Sequence, residues 1–307
     1  MRYGMIDLGS NTIRFVAYDI SKKQYVQLVN EKEFIGIISF IEKGVLIQEG
    51  IDRLIDVLGR MAKLSELLRC KELHCFATAS LRNIDNSGEV LAVIAEKTGI
   101  TVELMSGEQE AECDFLGLTY PKKLEKGIGC DVGGGSAQIF TFQDKQLQFS
   151  TSLSIGCLRM YDRFVSGVLM TQEEQNILEA FLSKQFAEVA FIKNAAKKLD
   201  TKVLYAMGGT ARAGAKLHKN MIGSPNSVEG YHFSVKELDI MNTTLRNMKM
   251  NGVHFLNRIL PERTHTIMPG LVVLKSIAQC CGAKEIIISK NGVRDGYLIK
   301  HTVLDRC

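Results

Sequence analysis

Apolar positions along the chain switch repeatedly between a two-residue and a 3.6-residue period, which predicts strands alternating with helices. Tyr3–Asp7, Thr12–Asp19 and Tyr25–Val29 read as early strands. Ile51, Leu54, Ile55, Leu58, Met61, Ala62 and Leu68 then fall on one helical stripe between Ile51 and Arg69. Leu73–Thr78 and Ile100–Leu104 read as buried strands, and Ser106-Gly107-Glu108-Gln109 has the form of a capping box that opens a helix. Further strands are expected at Gly127–Val132, Ala137–Phe142, Leu147–Leu153, Lys202–Met207 and Glu285–Ser289. Thr171-Gln172-Glu173-Glu174 should cap a helix running to about Leu199, and Ser234-Val235-Lys236-Glu237 should cap another. This alternation predicts an α/β fold. The length of 307 residues suits two domains, divided after Pro121-Lys122-Lys123 into residues 1–124 and 125–307.

One internal repeat carries the chemistry. Ile6-Asp7-Leu8-Gly9-Ser10-Asn11-Thr12-Ile13 recurs as Cys130-Asp131-Val132-Gly133-Gly134-Gly135-Ser136-Ala137. Each copy is a strand ending in Asp, a glycine turn with Ser or Thr, and a second strand. Glycine turns let the backbone approach a phosphate, and successive turn N–H groups bind anions. The turns thus nominate Gly9, Ser10, Asn11 and Thr12, and Gly133, Gly134, Gly135 and Ser136, as phosphate-binding residues. Asp7 and Asp131 are placed to hold a hydrated Mg²⁺ against phosphate oxygens. A third glycine turn, Gly208-Gly209-Thr210, adds Gly209 and Thr210 to the phosphate-binding set, and a fourth follows at Gly292-Val293-Arg294-Asp295-Gly296. Arg82, just past the strand that ends at Thr78, could neutralise charge on a transferring phosphoryl group.

Composition narrows the setting more than the chemistry. The run Ile267 to Ala283 is broken by Pro269, Gly270 and Lys275 and does not read as a membrane span. The start of the chain has no apolar leader and the eight cysteines form no CxxC pair, so a reducing cytoplasm without disulfides is expected. A net charge of +4 fits an anionic substrate without arguing for one. Scattered Lys and Arg and the lack of Trp give no case for nucleic acid. Lys22-Lys23, Lys122-Lys123 and Lys197-Lys198 read as solvated, and Met241 to Met250 reads as helix core.

The ordered set of motifs resembles the exopolyphosphatase and guanosine-pentaphosphate phosphatase family across essentially the whole chain. It comprises Ile6–Arg14, Ala77–Asn83, Ser106–Ala111, Asp131–Ser136, Gly156–Arg159, Gly208–Thr210, Pro261–Arg263, Pro269-Gly270 and Gly292–Gly296. The resemblance implies two actin-like ATPase (ribonuclease H-like) domains facing each other across a cleft, in the family's short form. It implies Mg²⁺ as cofactor and hydrolysis of the terminal phosphate of inorganic polyphosphate. Guanosine pentaphosphate is an equally placed substrate, and a homodimer is left open. Glu110 matches the catalytic glutamate, and its position in the first turn after the Ser106 cap favours its anion. Arg263 matches a further family arginine, and His265 stands where the family carries Asp.

Two further positions depart from the family. Gln138 stands where a metal-holding Glu is expected, so the metal set reads Asp7, Asp131 and Gln138. Ser136 and Gln138 should share a face of their strand. A neutral amide there predicts a raised Mg²⁺ requirement and leaves room for a weakly catalytic phosphate or nucleotide sensor. Glu33-Phe34-Ile35-Gly36 also lacks the basic residue expected before its glycine.

Overall fold

Strands joined by tight turns pair antiparallel, whereas parallel pairing needs a crossover through a helix. Both halves of the chain use the two connections in the same sequence. The computed structural model describes residues 1–21, 24–189 and 191–304; Lys22, Lys23 and Cys307 lie outside the described residues.

The chain forms two compact units, Met1–Gln109 and Glu110–Cys307. In unit 1, β1 (Arg2–Leu8), β2 (Thr12–Ser21) and β3 (Gln24–Phe34) form an antiparallel meander. After the small hairpin β4 (Ile41–Glu42) and β5 (Val45–Leu46), helix α1 (Gln48–Leu67) crosses to β6 (Glu72–Ala77), which pairs parallel to β1. The helices α2 (Ala79–Arg82) and α3 (Ser87–Thr98) lead to β7 (Val102–Leu104), giving the order β3-β2-β1-β6-β7. The predicted stripe of α1 is the face that buries Ile51, Leu54, Leu58 and Met61 in the core of this unit.

Helix α4 (Gly107–Lys122) follows, and from Glu110 onward it belongs to unit 2. There β8 (Gly127–Val132), β9 (Ala137–Gln143) and β10 (Gln146–Leu153) repeat the meander. Helices α5 (Cys157–Phe164), α6 (Gln172–Glu188) and α7 (Phe191–Lys198) lead to β11 (Val203–Met207), parallel to β8. Then come α8 (Gly208–Ile222), β12 (His232–Ser234), α9 (Val235–Met248), α10 (Met250–Ile259), α11 (Ile267–Cys280), β13 (Glu285–Ile288) and α12 (Val293–Leu298). The sheet order is β10-β9-β8-β11-β13-β12, so the order of the first sheet recurs in the second, with β12 added at its edge.

Strand β9 is buried on both sides. Ile139 points into the main core with α5, α6, α8 and α11, while Phe140 and Phe142 meet Phe115 and Leu118 of α4. This apolar contact is why residues 110–124, placed with the first domain by the sequence, group with the second unit.

All three capping boxes form. Ser106 and Gln109 exchange bonds of 2.7 and 3.2 Å, Thr171 and Glu174 bonds of 2.8 and 3.2 Å, and the Ser234 N–H donates to Glu237 at 2.5 Å. The helix opened by Thr171 stops at Glu188, where Val189 leaves helical geometry, rather than running to Leu199. The methionine stretch also divides: Met241 is core, but Lys249 at φ 51° ends α9 and Met250 is exposed. Lys122 is not simply solvated, since it pairs with Glu229 at 2.7 Å. Cys70, Cys75, Cys113, Cys130, Cys157, Cys280 and Cys281 are free thiols, and burial pushes Cys281 up to about 12. Among the described residues no helix is long and apolar enough to cross a membrane.

Candidate active site

The two repeats fold to the same hairpin. In unit 1 the Gly9 N–H donates to the Thr12 carbonyl at 3.0 Å, with Leu8 opposite Ile13 and Asp7 opposite Arg14. In unit 2 the Gly133 N–H donates to the Ser136 carbonyl at 2.9 Å, with Val132 opposite Ala137 and Asp131 opposite Gln138. Ser10, Asn11 and Thr12 therefore lie on one turn, and Gly134, Gly135 and Ser136 on the other. The Asn11 carbonyl accepts the N–H groups of Ile35 and Gly36, both at 3.1 Å. The segment that lacked a basic residue thus buttresses the first turn through its backbone.

Arg82 ends α2, which starts beside β1: the Thr78 N–H reaches the Leu8 carbonyl at 3.4 Å. Its guanidinium donates to the Met105 carbonyl. The Ser106 hydroxyl, with help from Arg82, holds the Glu108 carboxyl below its ordinary range.

In unit 2, motifs spread over more than a hundred residues of sequence converge on the Asp131 turn. Its carbonyls face the start of α5. The Gly133 carbonyl accepts from Cys157 at 2.9 Å, that of Gly134 from Leu158 and Arg159 at 3.0 and 3.1 Å, and that of Gly135 from Gly156 at 3.2 Å. Gly156 lies so close that a Cβ there would fall 2.3 Å from the Gly134 oxygen. On the other side β11 ends next to Asp131, and the chain turns into α8 through Gly208 at φ +79°. A Cβ on Gly208 would fall 1.8 Å from Asp131 Oδ1, and one on Gly209 would fall 1.9 Å from Arg263 Nη2. The Asp131 carboxylate and the Arg263 guanidinium thus both lie against the opening turn of α8. Gly270 of α11 admits Thr210 in the same way, its absent Cβ lying 2.6 Å from Thr210 Cγ2.

The α4-facing side of β9 completes the site. Strand alternation puts Ser136, Gln138, Phe140 and Phe142 on one side, and Gln138 Nε2 lies 3.0 Å from Ser136 Oγ, as the shared face requires. Phe115 of α4 packs on Phe140 and Phe142 with ring centroids 6.3 and 5.8 Å apart. That packing brings Glu110, just over one turn earlier on α4, to the end of β9. Gln138 Nε2 donates to Glu110 Oε2 at 2.6 Å and lies 3.0 Å from Ser152 Oγ on β10. Both partners are buried, Glu110 and Gln138 each at 4% exposure.

Asp114, 1% exposed and one turn beyond Glu110, was missed in the sequence. A Cβ on Gly292 would lie 3.4 Å from Asp114 Oδ1 and 3.8 Å from Asp131 Oδ2, so two carboxylates approach that glycine from different elements. A carboxylate at i+4 from Glu110, inside an apolar helix face, was the available signal. His265, in place of an expected Asp, packs edge-on against Tyr161 with centroids 4.8 Å apart. Burial lowers its pKa, Asp162 opposing and Arg263 adding to the shift.

Among the described residues no group of three or more His, Cys, Asp and Glu side chains could hold a metal. Mg²⁺ does not require one, because it is commonly held by one or two carboxylates with water and phosphate oxygens. Asp131, half-buried beside a glycine turn, has that donor chemistry. Gln138 turns its NH₂ group toward Glu110, and an amide nitrogen is a donor with no lone pair to offer a cation.

The Ppx/GppA phosphatase family profile matches residues 22–303. Exopolyphosphatase 1 of Mycobacterium leprae is 23% identical over 98% of this chain and 89% of its own length. An exopolyphosphatase from Cytophaga hutchinsonii superposes with a TM-score of 0.86 at 21% identity, covering 100% of this chain and 98% of that one. The Aquifex aeolicus Ppx/GppA family member gives a TM-score of 0.80 at 22% identity, covering 100% and 99%.

Proposed function

This chain belongs to the Ppx/GppA phosphatase family, and from that premise we propose that it is an exopolyphosphatase, a Mg²⁺-dependent hydrolase of the terminal phosphoric anhydride bond of inorganic polyphosphate. The observation that carries the reading is the buried Glu110 carboxylate, held by Gln138 beside the Asp131 glycine turn. A base in that position takes the proton of a water as the water attacks the terminal phosphorus in line. The bond between that phosphorus and its bridging oxygen breaks, giving orthophosphate and a chain one unit shorter.

The turn carbonyls are engaged by α5 and the Gly133 N–H by Ser136, so the peptide N–H groups of Gly134 and Gly135 form the edge offered to phosphate oxygens. Arg263 and the opening turn of α8 add positive potential beside Asp131. The buried Thr210 hydroxyl, which has no hydrogen-bond partner among the described residues, is a further donor there. Bound Mg²⁺ would neutralise phosphate charge, with Asp131 as the unit 2 carboxylate to hold it. The Asp7 turn of unit 1 has the same backbone geometry and the same anion-binding chemistry. The free thiols suit a reducing cytoplasm.

The choice of polyphosphate over guanosine pentaphosphate follows the naming of the relatives. Phosphate release from polyphosphate, guanosine pentaphosphate and ATP, with and without Mg²⁺, tests it. Polyphosphate should be the preferred substrate and turnover should require Mg²⁺. Glu110→Gln should lower kcat by ~10²–10⁴ with little change in KM. Failure to release phosphate from polyphosphate, or near-normal kcat in Glu110→Gln, would refute the reading.

A further inference from the structure

Gln138 occupies a position that the family resemblance reserves for a carboxylate, yet its surroundings are those of an amide. It lies on β9 between Asp131 of β8 and Ser152 of β10, directly opposite each in the strand register. Its nitrogen meets three oxygens: Glu110 Oε2 at 2.6 Å, Ser136 Oγ at 3.0 Å and Ser152 Oγ at 3.0 Å. An ionised carboxylate only accepts hydrogen bonds, so the amide must present its NH₂ group to Glu110. That group has two hydrogens for three oxygens. The charged and nearest acceptor holds one, and the two hydroxyls share the other. With 4% exposure and neighbours on both sides, the amide is fixed in place. A glutamate of the same shape would instead set an oxygen against Glu110 Oε2 at hydrogen-bond distance and remove the donor.

We propose that Gln138 is a positioning residue for Glu110: its amide ties Oε2 and so fixes the carboxylate that takes the proton of the attacking water. The neutral side chain is then a working element of this active site and not the mark of a catalytically weak sensor. The proposal rests on the reading of Glu110 as the base.

The test uses the full chain and measures kcat and KM for polyphosphate at saturating Mg²⁺, with Tm alongside. The variants are Gln138→Met, Gln138→Glu, Glu110→Gln and the double variant Glu110→Gln/Gln138→Met. Methionine keeps the length of the side chain without its donor. Gln138→Met should lower kcat about tenfold, the rate equivalent of losing one hydrogen bond to a charged group, with KM within about twofold of the parent. Gln138→Glu should lose at least as much. In the Glu110→Gln background, Gln138→Met should lower kcat no further, because the carboxylate it positions is gone.

Normal kcat in Gln138→Met, or normal or raised kcat in Gln138→Glu, overturns the proposal. So does an equal loss from Gln138→Met in both backgrounds, which marks a structural role. If Gln138→Met fails to give a cooperative melt, the isosteric Gln138→Glu decides. Normal kcat in Glu110→Gln alone overturns the assignment of the base instead, and so separates that failure from this one.

Discussion

Gly208→Ala separates the role of Asp131 from that of the fold. Two costs arise at this position. The backbone sits at φ +79°, where a side chain costs roughly 1–2 kcal/mol. The new Cβ would also lie 1.8 Å from Asp131 Oδ1, so the carboxylate has to swing away from the opening turn of α8. Gly223, at the other end of the same helix, provides the control. It has φ +67° and nothing within 4 Å of its missing Cβ. Gly223→Ala therefore carries the strain alone. At ~2–4 °C per kcal/mol for a domain of this size, it should lower Tm by about 2–8 °C and leave kcat unchanged. Gly208→Ala should lower Tm by at least as much. It should also raise the Mg²⁺ concentration for half-maximal rate and lower kcat about tenfold or more, since small displacements of site groups are costly. Calorimetric melting and phosphate release over a Mg²⁺ titration read both effects. Equal kcat and equal Mg²⁺ dependence in the two variants would refute the placement of Asp131 in the site.

Two further outcomes follow from the packing of unit 2. Gly156→Ala would drive a Cβ to within 2.3 Å of the Gly134 oxygen and 2.5 Å of the Gly135 carbonyl carbon, both backbone atoms, so the turn itself must move. Its kcat/KM for polyphosphate should fall by about 10–100-fold, a loss that steady-state kinetics would detect. Lys275 of α11 donates to Glu179 at 2.9 Å and Asp239 at 2.8 Å. Burial lowers its pKa, but these bonds outweigh burial and leave it above the ordinary lysine value. The bonds therefore stabilise the fold at neutral pH, and the contribution is lost as the pH climbs past 10.5 through the raised value. Lys275→Met should melt earlier at pH 7 by ~2–4 °C, about 1 kcal/mol, kept small because both carboxylates are partly solvated. The gap between variant and parent should narrow above pH 10.5, and a gap independent of pH would refute the account.

Local signals in the sequence translated directly into structure. The Asp-x-Gly repeat specified two hairpins of equal register, and each of the three capping boxes opened the helix expected of it. Alternation on β9 placed Gln138 beside Ser136. Long-range partnerships left no such trace. Nothing near Arg263 indicates that it lies on Gly209, and nothing near Glu110 names Gln138 as its partner, because tertiary packing of α4 on the phenylalanines of β9 decides that meeting. The same physics moved the domain division. A boundary drawn at Pro121-Lys122-Lys123 follows turn chemistry, whereas Phe115 and Leu118 follow their apolar partners. The end of α9 at Lys249 was likewise hidden, since methionine favours helix on both sides of the break.

The matched hairpins differ in the residue that stands opposite the aspartate. Asp7 faces Arg14 across its strand pair, while Asp131 faces Gln138. In an assembly of two identical chains, every substitution appears in both copies at once, so a cation that suits one aspartate is forced on the other. Two similar hairpins carried on one polypeptide are free of that constraint, and each can change without the other. Arginine opposite one aspartate and glutamine opposite the other is a difference open to this chain because its two halves are encoded separately.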